Sequence, residues 1–449
     1  MTISKENRSY LRSIFYLAIP IIIQELFNAS INMLDTFMIG SLGISEVTAV
    51  GLANEIFFLL IVLIYGINGG SAIFIGQFWG KGDLKSIHKT MGISLSLSMI
   101  AATTFALAAL LIPEILISIY SDGDQRVIEL GASYLRIAGI SYFLFAISSC
   151  INCSHRNTGQ TRLPMISTMV ALSLSAGLNF VFIFIFDMSV EGAALATVIA
   201  RIVEVSLQIA LMVKLKSPIL TSAKNYLAGN LKFFIEYIKV SFPVIINEVI
   251  WALGTTLYLV IYKYTGTEGQ GAFILANNFQ RLFLVTGLGI GTACAIQLSN
   301  LLGANEINRA ISYSRKSLKL CALVSCIMSM ILLAMIPLVI DFFNANEDVK
   351  VLVFRTCLVM SIFLVFKTLT FTLIIGILRS GGDTKACLYI DLSTVWFVGV
   401  PLTFIATYIF RLPIYWCVFF TGLEEVVKFT FLLKRALTNM WAKNLVKDM

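Results

Sequence analysis

Two stretches decide the fold of this chain: LAIPIIIQELFNASINMLDTFMI at residues 17–39 and VSFPVIINEVIWALGTTLYLVIY at residues 240–262. Each has 23 residues, and an α-helix needs roughly 20 predominantly apolar residues to cross a bilayer. Both stretches contain a proline and a glutamate at the same offset in residue number, which pairs Pro20 with Pro243 and Glu25 with Glu248. The sequence therefore predicts two membrane-spanning helices that are copies of each other.

The offset that relates Pro20 to Pro243 runs through most of the chain. It also relates Gly43 to Gly266, Leu52-Ala53-Asn54 to Leu275-Ala276-Asn277, Gly80 to Gly303, Arg156 to Arg379 and Thr161 to Thr384. Because the offset does not drift, the two halves share the lengths of their helices and loops. We predict two parallel repeats of six helices around a central cavity. Their bounds are residues 1–213 for the N-lobe, 214–236 for a cytoplasmic linker, 237–436 for the C-lobe and 437–449 for a cytoplasmic tail.

Composition places the chain in a membrane. Hydrophobic residues make up 58% of the sequence and charged residues 13%, whereas soluble proteins average about 25% charged residues. The sequence lacks the alternating segments of about ten residues that form a membrane β-barrel. The apolar blocks predict an all-α membrane protein with twelve spans, at residues 14–39, 49–77, 90–119, 129–153, 164–186, 189–213, 237–262, 272–300, 316–341, 350–377, 387–408 and 413–434.

The distribution of charge predicts the topology. The formal net charge is +8, and most basic residues lie in alternate loops between the spans. The other loops hold only Arg126, Lys263, Lys350 and Arg411. Basic loops stay in the cytoplasm, so we expect a multi-pass protein of the cell (inner) membrane with both termini in the cytoplasm. The membrane topology explains the positive charge without a nucleic-acid partner.

Polar side chains form a stripe along the first and seventh spans. In the first span the stripe consists of Glu25, Asn28, Asn32 and Asp35, and the seventh span carries Glu248, Trp251, Thr255 and Tyr258 at the same positions. Because a charge at the bilayer centre is costly, such residues are usually functional. We predict that they line a cavity and that Asp35 and Glu248 bind a proton or cation. The alternative is a polar contact that holds helices together.

Other polar groups within the spans extend this prediction. Ser175 and Asn179 in the fifth span and Thr197 in the sixth are candidate ligands for a coupling ion. The candidate substrate cavity comprises Glu25, Asn28, Asn32, Asn54, Trp251, Tyr258, Asn277, Asn278 and Lys367. Lys367 needs a carboxylate or water as a partner, and Glu248 is a candidate. Glu424 and Lys428 are spaced to pair within one helix.

Pro20 and Pro243 lie inside the first and seventh spans. A proline within a helix removes a backbone hydrogen bond and creates a bend point. We predict two hinges, so that neutralisation of Asp35 is coupled to bending of the first span. A static kink is the alternative.

Several segments resemble the signature segments of the multidrug and toxic compound extrusion (MATE) family. They are the first-span stretch at residues 17–43, GINGGSAIFIGQFWGKGD at 66–83, HRNTGQTRLPM at 155–165, VEGAALATVIA at 190–200, SFPVIINEVIWALGTTLYLVIYKYTG at 241–266 and LRSGGDTKA at 378–386. The resemblance covers about residues 10–435. It implies an antiporter that exports organic cations or other amphipathic compounds by alternating access, driven by H⁺ or Na⁺ and without another cofactor.

The resemblance also implies roles for individual residues. It matches Asp35 to the first-helix aspartate of the family, Pro20 to its bend proline and Thr197 to its sixth-helix threonine. Ser175 and Asn179 fall where some members have asparagine and aspartate. Glu248 lies in the seventh helix, where many members carry an essential carboxylate. This chain departs from the family because it lacks the fifth-helix aspartate and the tenth-helix aspartate found in some members. The identity of the coupling ion therefore stays open between H⁺ and Na⁺.

The sequence leaves three alternative functions. A lipid-linked oligosaccharide flippase of the same superfamily would need cationic side chains in its cavity, and the candidates are Arg136, Arg201, Arg281, Arg355 and Lys367. A membrane enzyme is disfavoured because the chain has no HExxH or GxSxG motif, and its eight cysteines indicate packing and not a metal site. A passive channel is disfavoured by the repeat. We expect a monomer whose partners are small amphipathic or cationic compounds and the lipid bilayer.

Overall fold

The computed structural model describes residues 5–121, 124–340 and 347–449. Within these ranges the side chains at positions 5–7, 32, 36 and 338–340 are not described. All regular structure in the described ranges is helical, which confirms the predicted all-α class.

The helices follow the apolar blocks of the sequence. Their bounds are α1 Lys5–Gly40, α2 Ile44–Lys81, α3 Leu84–Leu111, α4 Pro113–Ser118, α5 Gln125–Ala138, α6 Ser141–Asn157, α7 Arg162–Phe180, α8 Ser189–Lys214, α9 Ala223–Tyr226, α10 Leu231–Tyr262, α11 Gly266–Gly303, α12 Ile307–Ile340, α13 Glu347–Phe371, α14 Thr384–Thr394, α15 Val400–Phe404 and α16 Ile414–Leu437. Wider π-helical turns follow α7 at Val181–Ile185, α13 at Thr372–Leu378, α14 at Val395–Gly399 and α15 at Ile405–Ile409.

These helices provide twelve crossings. In the described part of the chain, nine helical runs are long and apolar enough to cross a membrane, and the pair α5–α6, bent by 51°, makes ten. One run, Leu231–Gly303, has 73 residues, and such a helix would extend ~110 Å against a hydrocarbon core of ~30 Å, so it contains two crossings, α10 and α11. Helix α16 has 24 residues, but charged side chains interrupt its apolar sequence. The predicted twelve-helix arrangement is confirmed.

The chain divides into two compact units, and the C unit contains residues from both halves of the sequence. The C unit contains the chain up to Ile22, Gly76–Gly82 and Lys239–Met449; the N unit contains Ile23–Ile75 and Asp83–Ile238. Helix α1 therefore leaves the C unit directly after Pro20. The helix is continuous through this proline.

Each unit has its own apolar core. Fully buried residues of the N-unit core include Leu60, Ala102, Leu135, Ala146 and Ala194. Fully buried residues of the C-unit core include Ile14, Cys294, Leu373, Leu378 and Leu432. The small residues in both cores let helix backbones approach closely, as is usual between membrane helices.

A very close approach in the C unit joins the ends of α2 and α11. A Cβ atom at Gly80 would lie 1.9 Å from the carbonyl oxygen of Asn300, and one at Gly303 would lie 1.8 Å from the carbonyl oxygen of Gln77. Gln77 and Asn300 are themselves related by the repeat offset, as Gly80 and Gly303 are, so the contact is reciprocal between the two repeats. Only glycine fits at either position, because any side chain would collide with backbone.

The segment after α16 packs against the C unit. Trp441 and Val446 are completely buried, and a Cβ atom at Gly381 would lie 1.7 Å from the Trp441 carbonyl oxygen. The side chain of Gln77 accepts a hydrogen bond from the Leu445 amide at 2.7 Å and donates to the carbonyl oxygen of Ser380 at 2.9 Å. The residues predicted as a tail therefore close over the end of this unit.

Candidate functional site

Asp35 on α1 and Asn179 on α7 lie together in the N unit. The amide Nδ2 of Asn179 donates a hydrogen bond to Asp35 Oδ1 at 2.9 Å. Asn179 is buried, with 3% of its surface exposed, and its own Oδ1 has no hydrogen-bond partner among the described residues. Buried polar atoms normally have a partner, so this oxygen, together with the carboxylate, offers free acceptor capacity for a proton or cation.

The other predicted ion ligands in the N unit are Thr197 and Ser175. Thr197 donates a hydrogen bond to the carbonyl oxygen of Ala193, one turn earlier in its helix, at 3.0 Å. It also lies next to Tyr134, which is within electrostatic range of Asp35. Ser175 is buried on α7, one turn before Asn179. The side chain of Asn32 lies outside the described residues.

Glu25 belongs to a separate polar network in the N unit. Arg156, at the end of α6, donates to Gln24 at 2.7 Å and to Glu25 at 3.2 Å. Asn28 donates to Glu25 at 3.3 Å, and the amide nitrogen of Gln24 donates to Thr168 at 2.9 Å. The arginine thus ties α1 to α6, while Gln24 extends the connection to α7.

The network ends on α8. The Thr168 hydroxyl donates to Glu204 at 3.1 Å, and Glu204 forms an ion pair with Arg201 at 2.6 Å. Glu204 is almost completely buried. In this network two arginines, Arg156 and Arg201, balance the charge of two glutamates, Glu25 and Glu204.

The C unit contains the equivalent network. Arg379 donates to Glu248 at 2.7 Å and to Asn247 at 2.8 Å, and Asn247 Nδ2 donates to Asp391 at 2.5 Å. The equivalent residues, all related by the repeat offset, are Gln24 and Asn247, Glu25 and Glu248, Arg156 and Arg379, and Thr168 and Asp391. The repeat therefore preserves a set of tertiary contacts and not only the lengths of helices.

Lys428 on α16 lies at the end of the second network. Its Nζ atom is 2.7 Å from Asp391, 2.6 Å from Glu424 and 3.9 Å from Glu425. The predicted pairing of Glu424 with Lys428 is confirmed, and it forms part of a larger cluster. The Tyr258 hydroxyl is hydrogen-bonded to Glu424.

The predicted partner of Lys367 was wrong. Glu248 is paired with Arg379, whose planar fork reaches Glu248 and its neighbour Asn247 at once, a geometry that a lysine does not offer. Lys367 instead lies within electrostatic range of Glu425.

The remaining predicted residues are dispersed. Asn54 and Asn278 are exposed, Asn277 is half-buried and Trp251 is 40% exposed. Pro20 and Pro243 are buried inside continuous helices. The roles predicted for these residues, in a substrate cavity or as hinges, therefore stay predictions.

Five buried residues of the networks escaped the sequence predictions: Gln24, Thr168, Glu204, Asn247 and Asp391. Glu204 and Asp391 are acidic residues inside the predicted sixth and eleventh spans, and intramembrane charge alone could have identified them. Gln24 has no such signal, except that its counterpart in the repeat, Asn247, is also an amide.

Comparison with known proteins gives one family. The MatE family profile matches residues 20–181 and 243–405, so its two copies begin at Pro20 and Pro243. The probable multidrug resistance protein NorM of Thermotoga maritima is 22% identical over 406 residues, covering 89% of this chain and 86% of the relative. The uncharacterized transporter YisQ of Bacillus subtilis is 23% identical, covering 88% of this chain and 87% of the relative.

Among solved structures, the Vibrio cholerae MATE transporter VcmN has the same fold. Its TM-score against this chain is 0.89 at 17% sequence identity, with 98% of each chain covered. The profile matches span both halves and most of the sequence. On these matches, and with the membrane helices that carry them, the chain belongs to the MatE family of membrane transporters.

Proposed function

We propose that this transporter exports small organic cations and other amphipathic compounds across the cell membrane in exchange for H⁺ or Na⁺. The observation that carries the proposal is the contact between Asp35 and Asn179. There a membrane-embedded carboxylate lies beside a buried amide oxygen that no described residue hydrogen-bonds. The relatives named as multidrug resistance proteins support the substrate class.

Exchange follows if the ion and the substrate favour different states of Asp35. The ionised carboxylate attracts a cationic substrate, and binding of H⁺ or Na⁺ removes that attraction and releases the substrate. A ligand shifts a conformational equilibrium only by its difference in affinity between the two states. The exchange therefore requires the two ligands to favour different conformations of α1, the helix that carries Asp35.

The charges in the membrane favour a cationic substrate over a phosphate-bearing lipid. A flippase for such a lipid needs several unpaired cationic groups, but Lys367 lies within electrostatic range of Glu425 and Arg201 forms an ion pair with Glu204. Arg136 is likewise paired with Glu114. Exposed aromatic rings such as Trp251 can instead bind organic cations through cation–π contacts.

The test is ethidium efflux from cells that lack their own pumps and express this chain, with Na⁺ and pH gradients varied separately. We expect Asp35→Asn to abolish efflux and the unmodified chain to follow one of the two gradients, which identifies the ion. The matched control is Glu55→Gln, which neutralises an exposed carboxylate on α2 and should leave efflux unchanged. Efflux that survives Asp35→Asn at equal expression would disprove the role of Asp35.

A further inference from the structure

The cluster around Lys428 in the C unit holds more negative than positive charge. One ammonium contacts three carboxylates: Asp391, Glu424 and Glu425. The side chains of Lys428, Asp391 and Glu424 are each no more than 6% exposed. Burying charge that is not balanced by a partner is far more costly than burying a matched ion pair. Two buried carboxylates, Asp391 and Glu424, therefore face one ammonium group, and a proton bound to one of them removes the imbalance.

The first repeat provides an internal comparison. At the positions that correspond to Asp391, Glu424, Glu425 and Lys428, the first repeat has Thr168, Arg201, Ile202 and Val205. There the buried Glu204 is matched by Arg201, and no surplus arises. The imbalance is thus a specific property of the second repeat and not a consequence of the shared architecture.

Other positively charged groups near the cluster offset only part of its negative charge. Lys367 on α13 is within electrostatic range of Glu425 and Glu424, but its ammonium group forms no hydrogen bond or ion pair with the described residues. Arg281 on α11 is near Lys367 and is exposed. Arg379 is already engaged by Glu248. The carboxylates in direct contact with Lys428 therefore keep a surplus.

Hydrogen-bond chemistry indicates which carboxylate is protonated. Asp391 contacts Asn247 Nδ2 and Lys428 Nζ, and both groups can only donate, so neither contact offers an acceptor for a proton on Asp391. Glu424 contacts Lys428 through Oε1 and the Tyr258 hydroxyl through Oε2. A tyrosine hydroxyl can also accept a hydrogen bond, so Oε2 of Glu424 can carry a proton and donate it.

Glu425 is a poorer site for the proton. Its partner, the Thr370 hydroxyl at 2.7 Å, can also donate or accept, but Glu425 is 19% exposed and lies 3.9 Å from Lys428. Glu424, at 5%, is the more strongly desolvated of the two, and desolvation favours the neutral form.

Gly399, which has no side chain, leaves space for the contact between Glu424 and Tyr258. A Cβ atom at Gly399, in the π-helical turn that follows α14, would lie 2.0 Å from the Tyr258 hydroxyl and 2.5 Å from Glu424 Oε2. The wide turn brings the backbone against the contact between Glu424 and Tyr258.

We propose that Glu424 carries one exchangeable proton, which makes this cluster a second ion-coupling site of the transporter. The proton is bound on Oε2 and shared with Tyr258. When it leaves to water, the carboxylate that remains is countered by Lys428, which already contacts Oε1. The exchange with substrate rests on the proposed antiport, whereas the presence of the proton does not.

Infrared spectroscopy of the purified protein tests the presence of the proton. A protonated carboxyl has a C=O band that shifts in D₂O. We record it in an Asp35→Asn background, so that a proton on Asp35 does not contribute. In this background we expect the band to be present, to be lost on Glu424→Gln and to be retained in the matched control Glu425→Gln. A band that persists in Glu424→Gln, or that disappears in Glu425→Gln instead, would overturn the assignment.

Proton release tests the exchange. Ethidium is added to each purified protein in weakly buffered detergent solution that contains a pH-sensitive dye. We expect Glu424→Gln to release one proton fewer per ethidium bound than the unmodified protein, and Glu425→Gln to release the same number. Equal release from Glu424→Gln and the unmodified protein would overturn the coupling role.

Folding provides a third readout. Glutamine reproduces a protonated glutamate, so Glu424→Gln should give as much monodisperse protein as the unmodified chain, and failure to fold would contradict the proposal. Lys428→Met, which leaves the carboxylates without their contacting cation, should misfold. Absence of ethidium efflux by the unmodified chain in cells would disprove the proposed function but leave the infrared result unaffected.

Discussion

Arg379 donates a hydrogen bond to Glu248 at 2.7 Å, across a separation of 131 residues that also divides Arg156 from its partner Glu25. Each bond lies within one repeat and occupies the equivalent position there, yet the two bonds differ in burial. The arginine and glutamate side chains are 8% and 21% exposed in the second repeat, and 21% and 33% in the first. The same contact should therefore contribute differently to stability in each half.

We expect Arg379→Met to destabilise the protein more than Arg156→Met. Removing one partner of a buried ion pair costs roughly 3–5 kcal/mol because the other charge is left without compensation, and the more exposed pair should cost less. Melting temperatures from fluorescence-detected size exclusion measure the difference. The double change Arg379→Met with Glu248→Gln should recover part of the loss, and equal melting temperatures of the two single variants would contradict this ranking.

The crossing of α2 and α11 should not tolerate a side chain. Gly80→Ala or Gly303→Ala would place a Cβ atom 1.9 Å or 1.8 Å from a carbonyl oxygen on the other helix, and backbone cannot yield as a side chain does. We expect a severe loss of folded protein, measured as the monodisperse yield. Gly177→Ala on α7 is the matched control, since no atom lies within 4 Å of its added Cβ. A normal yield of Gly80→Ala would show that this contact is dispensable.

Substitution of Pro20 should reduce transport without reducing the amount of folded protein. Alanine restores the missing backbone hydrogen bond and stiffens α1 just before the helix passes from the C unit to the N unit. We expect slower ethidium efflux by Pro20→Ala at equal expression. Pro337→Ala, at an exposed proline within α12, should transport normally. Full activity of Pro20→Ala would favour a static kink.

Trp441 should stabilise the C unit although it lies beyond the last membrane helix. Its ring is completely buried, and its indole nitrogen donates to the Ala436 carbonyl oxygen at 3.1 Å. Truncation of a buried tryptophan to alanine typically costs about 3–5 kcal/mol, so Trp441→Ala should lower the melting temperature clearly. Met440→Ala, at a side chain that is 53% exposed, should leave it nearly unchanged.

The sequence could predict what depends on length, periodicity and spacing. Twelve apolar blocks and a constant offset between the halves indicated the crossings and the repeat, and the resemblance selected Asp35. The offset also related Arg156 to Arg379 without identifying their partners. Partners depend on how each helix is rotated about its axis, and hydrophobic blocks that are apolar on all sides carry no strong signal of that rotation.

The sequence did not predict two features: the partner of Lys367 and the packing of the segment around Trp441. Lys367 was assigned to Glu248 because both are unexpected charges in the membrane, but Arg379 engages that carboxylate. The segment around Trp441 was expected to be a tail because it is short, polar and without periodicity. Its order comes from tertiary contacts with Gly381 and Gln77, which lie far away in the sequence.

The reciprocal contact of Gly80 with Asn300 and of Gly303 with Gln77 bears on the ancestry of the chain. A surface that meets its own copy is the signature of a twofold symmetric dimer. An ancestral polypeptide of half this length would have closed the same contact with a second identical molecule. Within one chain the same contact is intramolecular and forms at any protein concentration. The two copies are then free to differ, as they do at the acidic cluster around Lys428, which lies in the second repeat.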